Sequence, residues 1–225
     1  MKPTRLQALG AFFPADQPLL DRHGQPVFQP RGDWLRRTGG DFTLREEDPD
    51  TFDGGRKRCE LTWAPWKSAG PWSFSARVQC DPYIGPDEKT PHPDKFCLFQ
   101  VHAAGAQSNR GLHPALMLQH SAGRFTLRIH YATAEDAEST GCDIWSDRND
   151  GEPHRWAVTF SYGADGFLRA KRDGKQVVDY RGPLGFAPYP AGYFKCGIYR
   201  WPSGNPKPWN FSPVKALVDR VVMRD

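Results

Sequence analysis

The chain has 225 residues, of which 38% are hydrophobic and 25% charged, and its formal net charge is +4 at pH 7. That length suits one all-β sandwich or barrel with a sizeable core, and no apolar run approaches the ~20 residues needed to span a bilayer. A mean hydropathy of -0.67 and a pI near 8.8 describe a polar surface that leans mildly toward anionic partners; the basic residues form no cluster of nucleic-acid-binding length.

At the N-terminus, Lys2 and Arg5 precede a short apolar patch broken by Gln7 and Gly10, too short to read as a secretory signal. Residues 1–55 are less regular than the rest and are expected to form edge strands and loops of one domain spanning 1–225. Beyond them, stretches rich in Phe, Val, Ile, Tyr and Trp alternate with Gly and Pro punctuation, the signature of a strand-and-turn protein. The expected strands are 58–64, 72–79, 96–102, 115–119, 124–131, 155–162, 166–172, 175–180, 193–200 and 214–223. Long amphipathic helical windows, internal repeats and low-complexity tracts are missing. Residues 81–95, with four prolines, and 103–113 read as long surface loops, and loops of that length in a compact domain are often functional. FLRAKRDGKQVVDY reads as a hairpin turning at Asp173-Gly174. Five widely spaced cysteines with no CxxC pair suggest neither a disulfide framework nor a zinc site.

Three of these strands share an uncommon feature. In an extended chain, residues two apart share a face. In YFKCGIYR, Tyr193, Lys195, Gly197 and Tyr199 therefore line one side and Phe194, Cys196 and Ile198 the other. FQVH splits Phe99 and Val101 from Gln100 and His102, and RCEL splits Cys59 and Leu61 from Arg58 and Glu60. Each segment offers an apolar row to a core and a hydrogen-bonding, partly cationic row to something else.

In order and wording, RCEL, QVH and YFKCGIY resemble the three signature segments of the β-jelly-roll polysaccharide lyases, the group of alginate, glucuronan and heparin I lyases. The resemblance covers about residues 56–223, and GEPHRWAVTFSYGADGFLRAKRDGK also fits the stretch ahead of the last motif. Two departures bear on substrate. Thr62 stands where alginate lyases usually carry a second arginine, and Arg200-Trp201 replaces the asparagine-glutamine that often follows the last tyrosine. The resemblance implies an all-β jelly roll of two antiparallel sheets, concanavalin A-like, acting by β-elimination on a 4-linked uronic-acid polymer.

In such a reaction the proton at C5 leaves, the C4–O4 bond breaks, and the carboxylate at C5 must be neutralised for the proton to become acidic. Arg58 supplies a forked donor and Gln100 an amide donor for that carboxylate. His102 is placed to act as base, and Tyr199 as the acid to O4, or as both acid and base. Lys195 acts directly or as an electrostatic support. Substrate contacts are expected from Glu60, which positions Arg58, and from Asn109 and Arg110 in the loop after QVH. Tyr193, Arg200 and His130 complete that set; Arg128 extends the same row as His130, although ordinary exposed alternation explains both. Trp63, Trp66 and Trp72 suit core packing better than sugar stacking. The chemistry requires no cofactor or metal; a structural calcium ion is compatible with the chain, but nothing in the sequence indicates one.

Two alternatives stand beside the lyase: a non-catalytic carbohydrate-binding or laminin-G-like jelly roll, and a glycoside hydrolase of the same architecture, which needs paired carboxylates. The expected partner is an anionic polysaccharide, with no nucleic acid and no membrane, and the chain is expected to be monomeric. Such substrates are extracellular or periplasmic, yet no convincing export signal is present.

Overall fold

In the computed structural model of the chain, the described residues are 4–5, 19–20, 26–28, 36–38, 41–44, 57–62, 70–80, 96–103, 113–121, 123–132, 139–186, 192–200 and 214–224. At 4–62, 103, 200 and 214–224 the description is of the backbone alone. The strands before residue 70 are β1 (Thr4–Arg5), β2 (Leu19–Leu20), β3 (Pro26–Phe28), β4 (Arg36–Thr38), β5 (Asp41–Leu44) and β6 (Lys57–Thr62). The middle of the chain supplies β7 (Trp72–Cys80), β8 (Phe96–Ala103), β9 (Leu116–Ser121), β10 (Arg124–Ala132) and β11 (Thr140–Arg148). They are followed by β12 (His154–Ser161), β13 (Phe167–Arg172), β14 (Lys175–Arg181), β15 (Gly185–Phe186), β16 (Gly192–Arg200) and β17 (Val214–Arg224).

These strands form two large sheets. The first has the order β14-β13-β12-β7-β17-β5-β4, with β1 also on β17. The second has the order β11-β10-β9-β8-β16-β6, with β15 also on β10; β2 and β3 pair separately. Every pairing is antiparallel except the two-residue contact of β15 with β10. The alternation read from the sequence is what joins the sheets. In β7 the residues Phe74, Ala76, Val78 and Cys80 are buried at every second position. Phe99 and Phe194, from the second sheet, meet Phe74 of the first with ring centroids 5.0 and 4.7 Å apart, and Trp156 of β12 closes on Phe99 at 6.3 Å. Such rings give large apolar burial with edge-to-face contact, so this layer fixes how the sheets stack.

The hairpin turning at Asp173-Gly174 is present: Asp173 and Gly174 have φ of 52 and 82°, the double positive φ of a type I′ turn. Two strands beyond residue 57 fall outside the expected set, the two-residue β15 and the longer β11. β11, TGCDIWSDR, is exposed along most of its length and shows no clean alternation, because it is the outermost strand of its sheet. The expected loop 81–95 lies outside the described residues, as does 103–113 except for its two ends, of which Ala103 belongs to β8.

Of three register slips among the described strands of the second sheet, two meet at β8 and shape the sheet's outer face there. Between Cys97 and Phe99 the pairing of β8 with β9 slips, so that Leu98 and Phe99 both enter the core. The slip leaves Cys97, Gln100 and His102 on the opposite face; the Cys97 thiol lies 3.6 Å from Met117 Sδ there. Opposite this point the pairing of β16 with β8 slips between Cys196 and Tyr199, where Gly197 has φ of 130°. A side chain is strained at that backbone angle, which accounts for glycine inside a catalytic-looking strand.

Candidate active site

The polar rows predicted from three separate segments lie on adjacent strands. β16 runs between β6 and β8, so YFKCGIYR is flanked by RCEL on one side and QVH on the other. Lys195 pairs with Gln100 and Tyr193 with His102 across β8. Across β6, Tyr199 pairs with Arg58, Gly197 with Glu60, Lys195 with Thr62 and Arg200 with Lys57. Asn109 and Arg110 lie outside the described residues, as do Trp63 and Trp66.

The side chains on this face are held closely. His102 Nε2 is 3.1 Å from Gln100 Oε1, and because an amide oxygen only accepts, the imidazole donates from Nε2 in this contact. The His102 ring stacks on Tyr193, with centroids 5.2 Å apart and planes inclined by 10°, and Lys195 Nζ lies 5.5 Å from the centre of the Tyr193 ring. Gln100 is 1% exposed and Lys195 6%, although neither belongs to the hydrophobic core. Tyr199 is half-buried. It pairs with Cys97, whereas His102 lies five positions further along β8, on the order of 16 Å in an extended strand. Gln100 sits between them, and for both ends of the row to reach one sugar both side chains must lean toward it.

The sequence reading missed the continuation of this face across β9. Gln119 pairs with Cys97, is buried, and donates from Nε2 to Met117 Sδ. Its only sequence signal is the polar position in LMLQHS, and that becomes informative only once the register is known. On β10, His130 is buried, with Nδ1 2.7 Å from the Pro114 carbonyl and Nε2 accepting from Arg128 Nε at 3.2 Å. Burial lowers its pKa to about 4, the Pro114 bond opposing and the nearby His113 and Arg128 charges assisting, so the ring is neutral at pH 7. Both nitrogens of His130 are thereby occupied, and the group presented outward at this place is Arg128.

A second polar cluster lies elsewhere. His154 bridges Asp173 at 2.6 Å and Asp150 at 2.7 Å, while Arg172 reaches Asp147 at 2.9 Å, Asp150 at 3.5 Å and His154. Burial raises the carboxyl of Asp173, but the Arg155 amide, His154 and Arg172 together outweigh it and hold it below its ordinary value. The cluster links β11 of one sheet to β12 and β13 of the other and works as a fastening. Among the described residues no group of three or more His, Cys, Asp and Glu is arranged to hold a metal ion.

Two stacked antiparallel sheets, one with buried cationic and amide groups on its outer face, define a β-jelly-roll protein. The chain belongs to the polysaccharide lyase family, whose profile matches residues 32–215. Solved structures of similar fold include an endo-β-1,4-glucuronan lyase from the fungus Trichoderma reesei, with a TM-score of 0.57 and 14% identity over 81% of this chain and 79% of that one. An alginate lyase from Pseudomonas aeruginosa aligns with a TM-score of 0.54 and 17% identity over 86% of each chain. An alginate lyase of polysaccharide lyase family 7 aligns at 0.55 and 13% over 98% of this chain and 88% of that one. At these identities the likeness is one of fold. No curated protein sequence matches the chain. The family makes the protein an enzyme, a polysaccharide lyase, and sets aside the purely binding alternative.

Proposed function

We propose that this lyase cleaves a 4-linked polyuronate by β-elimination on the outer face of the second sheet. The carrying observation is the juxtaposition of Arg58, Gln100, His102, Lys195 and Tyr199 on three neighbouring strands in consecutive register. In the proposed reaction Arg58 and Gln100 take the substrate carboxylate, withdrawing charge so that the C5 proton becomes acidic. The C5–H electron pair forms the C4=C5 bond, the C4–O4 bond breaks, and Tyr199 delivers a proton to O4. Where C5–H and O4 share a face of the sugar, the Tyr199 phenolate takes the C5 proton and returns it to O4. Where they lie on opposite faces, two groups are needed, and His102 is the base. Lys195 lowers the cost of negative charge on the same face, and Tyr193 holds the His102 ring flat against it.

The nearest charged polymers to try are glucuronan, alginate, heparin, heparan sulfate and hyaluronan. Elimination on any of them gives an ultraviolet-absorbing C4–C5 double bond for each new reducing end. New reducing ends without that absorbance would mean hydrolysis and would sink the proposal.

A further inference from the structure

Of the polar groups outside the proposed catalytic row, Arg128 is the most deliberately held. It lies on the same cross-strand line: Lys195 pairs with Gln100, Gln100 with Met117, and Met117 with Arg128. Gln100 and Arg128 are therefore two strand spacings apart, roughly 10 Å. That is close to the two-residue repeat of an extended 4-linked pyranoside chain running across the strands.

The surroundings of Arg128 fix one orientation of its guanidinium. Nε donates to His130 Nε2 at 3.2 Å, and Nη1 to Asp143 Oδ1 at 2.7 Å. The acceptor on His130 is itself specified: Nδ1 donates to the Pro114 carbonyl at 2.7 Å, which puts the lone pair on Nε2. Gly141, paired with His130 across β11, provides the room; a Cβ there would collide with the His130 ring and come within 3.0 Å of Arg128 Nη2. His113 closes the far side of the imidazole, stacked at 4.9 Å. Among the described residues these contacts use two of the five N–H groups of the guanidinium, leaving the second on Nη1 and both on Nη2 for a ligand. The side chain is 29% exposed, so those donors are within reach of one.

We propose that Arg128 is a specificity-determining anion subsite for the lyase, receiving the carboxylate of a uronate residue about two sugars from the bond that is cut, with His130 and Gly141 as its positioning residues. The inference rests on the polyuronate reading above. Asp143 shares the guanidinium and reduces its pull on an anion, so the contact belongs at the weak end of charge-assisted hydrogen bonds.

The test compares hexasaccharides with trisaccharides of polyglucuronate and polymannuronate, followed by ultraviolet absorbance. For Arg128→Gln we expect KM on the hexasaccharide to rise about tenfold with kcat kept within about twofold, so that the preference for the longer substrate collapses. Gly141→Ala should reproduce that collapse with the arginine still present, because it displaces the cradle. Should Gly141→Ala not fold, Arg128→Gln decides alone. Wild-type elimination with an unchanged hexasaccharide-to-trisaccharide ratio in Arg128→Gln overturns the subsite and leaves the catalytic reading intact. Absence of elimination by the wild type on either polymer series and on every polymer of the panel overturns both.

Discussion

The outer faces of the two sheets are built by opposite rules. On the first sheet, Arg155, Arg169 and Lys171 alternate with buried Trp156, Leu168 and Ala170 and are left in water. On the second, Gln100, Lys195 and Gln119 occupy the equivalent outward positions but are buried. Burying an ammonium or an amide costs several kcal/mol unless partners compensate, so stability alone favours the first arrangement. The second sheet carries a polar layer that packing does not require, and two of its members, Gln100 and Lys195, lie in the segments that resemble the motifs of the family.

The comparison can be broken at Tyr199. Tyr199→Phe keeps the ring on the second sheet and removes the proton proposed for O4; turnover should fall about 10²–10⁴-fold while the melting temperature holds. Unchanged turnover on a verified substrate would leave the polar face without its acid.

Lysines on the two faces give the next contrast. Lys195→Met removes a buried cation beside Tyr193, and the expected outcome is a loss of activity of about 10–100-fold with stability equal to or above that of the wild type, as for groups retained for function. Lys171→Met, on the exposed face, should change neither activity nor stability beyond about 0.5 kcal/mol. Equal effects of the two substitutions on turnover would erase the distinction between the faces.

Acid should separate the sheets as well. His120 of β9 is fully buried between Phe96 and Phe125, with neither ring nitrogen hydrogen-bonded to any of the described residues, and burial lowers its pKa to about 4. His130 of β10 is lowered to the same value chiefly by burial, facing Pro114, His113, Arg128 and Asp143. The unfolded histidines take protons near pH 6.5, so stability is full above that pH and declines as pH falls toward 4, by up to about 3 kcal/mol for His120. Urea unfolding from pH 7 to pH 4 should show this decline, and His120→Met should flatten part of it. A flat wild-type profile over that range would mean the two rings are not buried neutral in solution. A small effect is also expected at the ion pair of the first sheet, where Arg169 and Asp179 lie 3.4 Å apart, both half exposed: Arg169→Ala should cost under about 1 kcal/mol.

What the sequence made legible follows from periodicity. Phe194-Cys196-Ile198 against Tyr193-Lys195-Tyr199 could be sorted by counting in twos, and the Asp173-Gly174 turn by its residue types. The slip at Leu98 could not, because Phe96 to Phe99 is simply an apolar run, and without that slip the place of Cys97 beside Tyr199 is invisible. β11 was missed because an edge strand in water needs no apolar row. The sequence allows His130 and Arg128 to be either an extension of the groove or ordinary exposed alternation, and it does not show that Pro114, Gly141 and Asp143 gather around them, burying His130 and leaving Arg128 as the group presented outward.

The most direct measurement of where the chemistry occurs is a crystal structure of Tyr199→Phe soaked with a uronate oligosaccharide that the wild type cleaves. The sugar chain is expected to lie across β16, β8, β9 and β10 of the second sheet, with one carboxylate within hydrogen-bonding distance of Gln100. An oligosaccharide bound on the first sheet, or on the second with no carboxylate near Gln100, would contradict it.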